Sequence, residues 1–391
     1  MIDTDQHEAR ATAENYRHQR QAAEARANGF DALTREEYLT WTETHDAELI
    51  EIARRGGLNS EEAREAVDEY KSRIRTAVPG APFDDTNIQL IVQGVVHEIE
   101  SICRLGLIPI RDGVVHGVSP QLGLRASQMQ VLGTKASIIS VTLPFIPFIN
   151  LVSKTFALCL PLYDDPTASV VCNDPAKVAA YIREHPILMR YWIRMLRSYA
   201  VEGWLPPRPL PQVNGILQSV VRIQLLKAME LFAIAHEYGH HALRHGEFTS
   251  TDADHDGFQH EYEADTFARA ASAAIGSRSE PPNLYAMSGV GAVLVLGSLD
   301  LVRRAQSVLL NGDSRAVPST THPALKDRIQ NIALLDGNAP PDYQEAYRDL
   351  RDCFLTILDN VWSDIEPVFK RLHVRGLRPN PGSPEAGGWL P

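Results

Sequence analysis

Cysteine is scarce and unpaired along this chain. Cys103, Cys159, Cys172 and Cys353 are the four in 391 residues, and no two form a CxxC pair. That spacing excludes a disulfide framework and a cysteine-type zinc site, and reduced thiols predict a cytoplasmic setting. Long basic runs are missing too. Lys plus Arg number 38 against 49 Asp plus Glu, a formal net charge of −11, which argues against a dedicated nucleic-acid binder. The opening MIDTDQHEARATAENYRHQR has no apolar core of the kind a signal peptide carries. Unbroken apolar runs of spanning length are also wanting. ASIISVTLPFIPFINLVS (136–153) is uncharged but contains Pro144, Pro147 and Asn150, and YAMSGVGAVLVLGSL (285–299) is shorter and glycine-rich. Both sit near the lower length limit for a membrane span and read as buried core, so no membrane association is expected.

What is present suffices for a core: 44% of the residues are apolar, which excludes a disordered chain. Residues 1–78 read as charged helices. LNSEEAREAVDEYKSRIR starts with Asn59 and Ser60 followed by glutamates, a helix start with a capping signature. VPGAPFDDTN (78–87) is turn-rich and reads as a linker. The main domain is expected over 86–373, opening on the amphipathic helix 86–105. ASIISVTL, KTFALCLPL and ASVVCN (168–173) carry β-branched or apolar runs and predict strands of a small sheet. Residues 174–204 return to helix with a break near Pro186, PPRPLP (206–211) reads as a loop, and helix dominates from about 216 to 372. The tail 374–391, rich in Pro and Gly, predicts disorder. The fold class expected is α+β, predominantly helical, with the small sheet beside the helix described next.

AIAHEYGHHALRH (233–245) holds four histidines and a glutamate. Leu225, Met229, Phe232, His236 and His240 recur every three or four residues and share one helix face. Two neutral imidazoles one turn apart can bind one zinc ion, and Glu237 between them flanks the metal as a base for an activated water. HEYGH thus matches HExxH. His245 fails as third ligand, because five residues past His240 is about 140° round a helix. HExxHxxGxxH fails as well, since Leu243 and Gly246 stand where it requires Gly and His. HEYEADTFARAASAAIG (260–276) supplies the better candidate. Glu261 begins an ExxAD pattern on a second helix and closes a His₂Glu set. Asp265 lies one turn on and suits a carboxylate that accepts the other ring N–H of His236 or His240, His236 preferred. Glu263, two residues from Glu261, should point away.

HExGH followed by E[FY]xAD resembles the gluzincin metallopeptidases, in particular the HtpX and CAAX-prenyl-protease family. THPALKDR adds His322, Pro323 and Arg328 at the spacing of that family's HPxxxxR motif. The resemblance implies a gluzincin-like catalytic domain, peptide-bond hydrolysis with one Zn²⁺, and a peptide or protein substrate. It also implies that His322 and Arg328 line the substrate cleft, with His322 stabilising the oxyanion. The likeness covers roughly residues 220–335. The chain departs from the family in lacking its multiple spans and in a shorter interval from His240 to Glu261, which implies a soluble relative. Phage-exclusion metallopeptidases of bacteria also carry HExxH in a soluble helical protein.

Rival readings come from the same residues. The zinc site could be structural within a regulatory or interaction protein whose working surface is the N-terminal helices, or the chain could be a membrane-associated protease. DADHDGFQHEYE (252–263) fits the calcium-loop pattern through Asp252, Asp254, Asp256, Gly257 and Glu263, so Ca²⁺ competes there with a solvated acidic loop. His241 and His245, four apart, read as packed or solvated polar residues on another face. VVHEIES has Ser101 where HExxH needs its second histidine, and in EHPILMR Arg190 is one residue too close to His185-Pro186. Neither receives a role.

Overall fold

The computed structural model describes residues 2–31, 35–55, 58–77, 80–106, 108, 110–111, 113–164, 169–172, 174–207, 210–245, 256–314 and 322–380. Four helices come first: α1 (Ile2–Asn28), α2 (Arg35–Thr44), α3 (Asp46–Arg55) and α4 (Ser60–Thr76). Then follow α5 (Thr86–Leu105), the strands β1 (Val114–Ser119), β2 (Ala126–Gln130) and β3 (Ser137–Thr142), and α6 (Phe145–Cys159). Short strands β4 (Leu162–Asp164) and β5 (Ser169–Val171) precede α7 (Pro175–Glu184) and α8 (Pro186–Glu202). The rest is helical: α9 (Ile216–Ala242), α10 (Asp256–Arg278), α11 (Leu284–Ser288), α12 (Val290–Asn311), α13 (Leu325–Ala333) and α14 (Pro341–Val374). The architecture is the expected α+β, predominantly helical.

Local chemistry sets several boundaries. Asn59 accepts from the backbone N–H groups of Glu61 and Glu62, while the Glu62 side chain returns to the Asn59 N–H, which is the capping box expected from the sequence. Asp174 caps α7 with Pro175 at its first turn, and Pro186 opens α8 after the break at His185. Gly203 and Gly312 end α8 and α12 in the left-handed conformation.

Three strands form a mixed sheet in the order β1-β3-β2, with β1 parallel and β2 antiparallel to β3. One outer strand, β1, is packed by α1, and the other, β2, lies along α9. The sequence reading of three strands is corrected here. Only Ser137–Thr142 of ASIISVTL joins this sheet. KTFALCLPL is mostly the end of α6, whose residues are buried on nearly every side, so its apolar run carried no helical period. Within 162–171 the strands form a separate two-stranded sheet. Residues 168 and 173 lie outside the described residues, as do 78–79 of the linker, 208–209 of the loop, and 381–391 of the tail.

Helix α9 is the centre of the core. It is packed by α5, α6, α10, α11 and α12 as well as β2 and β3. The two apolar stretches weighed as spans are accounted for by this core: β3 with α6, and α11 with the start of α12, are buried. Among the described residues no helix is long and apolar enough to cross a membrane. Gly291 lets α12 reach α9, because a Cβ there would run into the Ala228 carbonyl.

The region read as a linker is knitted into the fold. The Asp84 carboxylate accepts from Arg17 Nη1 at 2.9 Å, Gln21 Nε2 at 2.8 Å, the Val118 N–H at 2.9 Å and the Ala81 N–H at 2.7 Å. This single buried group joins α1 to β1. All four cysteines are buried.

Candidate metal centre

The HEY segment of α9 is deeply buried: His236, Glu237 and Tyr238 are each at most 4% exposed. Gly239 makes the second helix possible. A Cβ at that position would press at 3.2 Å on Ala264 Cα and on Phe267 Cβ of α10. Glycine therefore admits α10 against the HEYGH turn, which brings Glu261 over the two histidines.

His236, His240 and Glu261 converge, with one ligand atom from each lying within 4.8 Å of the others. The two Nε2 atoms are 3.2 Å apart. Glu261 Oε2 is 3.3 Å from His236 Nε2, and Oε1 is 3.4 Å from His240 Nε2. Oε2 is buried and accepts no well-directed hydrogen bond among the described residues. Two imidazole nitrogens and a carboxylate oxygen that receives no hydrogen bond, all facing one point, are a ligand set suited to a divalent metal such as zinc. The residues present fit such an ion.

Charge around the centre is correlated. Burial lowers the His236 pKa, but its hydrogen bonds to the Asp265 and Glu261 carboxylates outweigh burial and raise it to about 9. Burial would raise Glu261, yet contacts with His236 and His240 and the charge of Arg328 hold it well below the usual carboxylate range. Glu237 is pushed up by burial, against the pull of His236 and His240. The Gln128 backbone N–H of β2 donates to its carboxylate, so the outer edge of the sheet abuts the proposed base.

Asp265 Oδ1 lies 3.0 Å from His236 Nδ1. Arg328 is paired with that same Asp265 carboxylate. Its guanidinium is fully buried and donates to both Asp265 oxygens, Nε at 2.8 Å and Nη2 at 2.6 Å, with Nη1 3.6 Å from Glu261 Oε2. Packed this way it braces Asp265 and borders Glu261 from inside the core. His322 is less enclosed, 17% exposed at its side chain, with Nε2 3.6 Å from Glu261 Oε1. Burial and the charge of Arg328 push it down to about 4 despite Glu261, which leaves a neutral imidazole at pH 7.

His241 is a packed polar residue as the sequence reading had it, whereas His245 leaves the face assigned to it. His241 and His245 form no pair. His241 is buried and its Nε2 bonds the Arg111 carbonyl at 2.8 Å. Helix α9 ends at Ala242, and Arg244 turns into the left-handed region at φ 65°. That turn folds His245 back beneath His240, Nδ1 to Nδ1 at 2.9 Å. His245 Nε2 meets Glu263 Oε2 at 3.0 Å, and its ring stacks on His260 at 4.2 Å. Helical spacing could not show this contact, because it depends on leaving the helix. Of the calcium-loop pattern, Asp252 and Asp254 lie outside the described residues. From Asp256 onward the pattern is already α10, where Gly257 makes no turn and Glu263 is engaged by His245 and Gln259.

Residues 179–339 match the family model described as Peptidase U49. The match spans His236, Glu237, His240, Glu261, Asp265, His322 and Arg328. No curated protein and no solved structure matches the chain. A peptidase-family match and a buried His-His-Glu group that could hold a metal ion fit a metallopeptidase with a protein substrate.

Proposed function

We propose that this chain is a zinc-dependent endopeptidase of gluzincin type, a relative of the HtpX and CAAX-prenyl-protease group without its membrane spans. One observation carries the reading: His236, His240 and Glu261 face a common point while Glu237 stands between the two histidines on the same helix. His236, His240 and Glu261 would hold the ion. When bound, zinc supplies Lewis-acid polarisation of a water and of the scissile carbonyl.

The chain's own groups do the proton work. Glu237 takes the proton of the attacking water and delivers it to the leaving nitrogen. Its burial, which raises its pKa above the ordinary carboxylate value, suits a group that must accept a proton. His322 Nε2–H is the donor toward the developing oxyanion, because it borders Glu261 and is the less buried of the two motif residues. Arg328 serves through Asp265, holding the carboxylate that orients His236. The reading also divides the chain into residues 1–78 and a metallopeptidase domain over 86–373.

The test is hydrolysis of a quenched-fluorescent peptide library by the zinc-loaded chain, with Glu237→Gln alongside. Cleavage by the wild type and none by a zinc-retaining variant supports the reading. Equal cleavage by both removes Glu237 as the base.

A further inference from the structure

Every neutral imidazole carries one N–H, so a ring that offers one nitrogen to a metal must hold its proton on the other. His236 meets this requirement through Asp265 at 3.0 Å. Among the described residues no carboxylate contacts His240 Nδ1. Its neighbour there is another imidazole, His245, at 2.9 Å between the two Nδ1 atoms. Such a contact admits a proton on one nitrogen only, and the far side of His245 decides which.

That far side faces an anion. His245 Nε2 is 3.0 Å from Glu263 Oε2. A carboxylate can only accept, so the His245 proton belongs on Nε2. His245 Nδ1 is then an acceptor, and His240 must donate to it from Nδ1–H. The His240 Nε2 lone pair is thereby left bare, directed at His236 and Glu261. The opposite arrangement would set the His245 Nε2 lone pair against a carboxylate and aim a His240 Nε2–H at the ion. We infer that His245, oriented by Glu263, is a positioning residue that fixes the tautomer and ring direction of His240 for metal binding.

This inference rests on the metal-centre reading above. Three observations make the chain of contacts a built feature. Arg244 takes a left-handed backbone conformation to return His245 under His240. His245 is buried and stacked on His260. Glu263 lies on the same helix as Glu261 and Asp265, so one element supplies a ligand and the terminal carboxylate of both histidine contacts.

The experiment measures zinc affinity of the full chain by competition with a chromophoric chelator, and the His240 tautomer from imidazole nitrogen shifts by NMR. Glu263 is 44% exposed at its side chain, so its substitution spares the core. In Glu263→Gln the amide can accept from or donate to His245 alike, and zinc affinity is expected to fall about 10-fold. In Glu263→Lys the ammonium donates to His245 Nε2 and forces the wrong His240 tautomer, with an expected loss of about 100-fold. His245→Gln, which keeps an acceptor near His240, should bind zinc more tightly than His245→Ala. A wild type that binds zinc, with both Glu263 variants within about twofold of it and His240 still protonated at Nδ1, overturns the inference alone. A wild type that takes up no zinc overturns the metal-centre reading beneath it.

Discussion

His236 Nδ1 lies 3.0 Å from Asp265 Oδ1, and neither side chain is more than 1% exposed. The ring nitrogen that faces His240 and Glu261 is therefore aimed by a carboxylate that is itself clamped by Arg328 at 2.6 and 2.8 Å. An ion centre built on two helices needs such bracing, since the donor atoms otherwise wander by more than metal coordination tolerates.

Asp265→Asn tests the bracing. It leaves the fully buried Arg328 charge without its main partner. Removing one member of a buried pair costs about 3–5 kcal/mol, and that loss is expected in urea denaturation. A change below about 1 kcal/mol would show that Arg328 finds its compensation elsewhere.

Glu237→Gln is expected to lower kcat by about 10²–10⁴-fold, the range for removing a general base. Zinc content and melting temperature should stay near wild type, because the amide keeps the shape of the side chain. Loss of zinc in this variant would make Glu237 a ligand and would recast the site.

Glu230, on α9 upstream of the metal residues, gives a pH signature. Burial pushes its carboxyl up to about 7 from a model-compound value of 4.5, against the opposing charges of Lys227 and Arg222 and with Glu98 adding to it. The folded chain thus holds a proton that the unfolded chain has lost between those two values. Stability contributed by this group falls as pH rises through that window, by at most about 3 kcal/mol. Glu230→Gln should flatten the fall, so that the variant gains on wild type in melting temperature at pH 8 relative to pH 5. An unchanged difference between the two pH values would mean the group stays ionised.

Asp84→Asn should weaken the hold of α1 on the sheet. Arg17 would lose its principal counter-charge, and an amide N–H₂ would face the donors of Gln21, Ala81 and Val118. A cost of about 2–4 kcal/mol is expected, with faster proteolysis within residues 1–28 as the local readout. Unaltered proteolysis would separate the N-terminal helix from this anchor.

The metal centre was legible because its logic is helical. His236 and His240 are one turn apart, Glu261 and Asp265 another, and that period is printed in the residues. Gly239, which lets α10 approach, was inside the motif without its spacing requirement being visible. The sheet was less legible. β1 is short and buried on both faces, β2 is a polar edge strand, and α6 lacks a polar stripe, so none carries the alternation or the period that identifies it. The contacts of Arg328 and His245 were not legible for a different reason. Which side chain turns toward Asp265, and which returns beneath His240, depends on the packing of α13 and on one left-handed residue at position 244.

The most direct test of the account is the zinc content of the purified full chain, measured beside His240→Ala. The account predicts about one zinc ion per wild-type chain and loss of that ion in the variant. A wild type that stays metal-free after incubation with zinc and dialysis would contradict it.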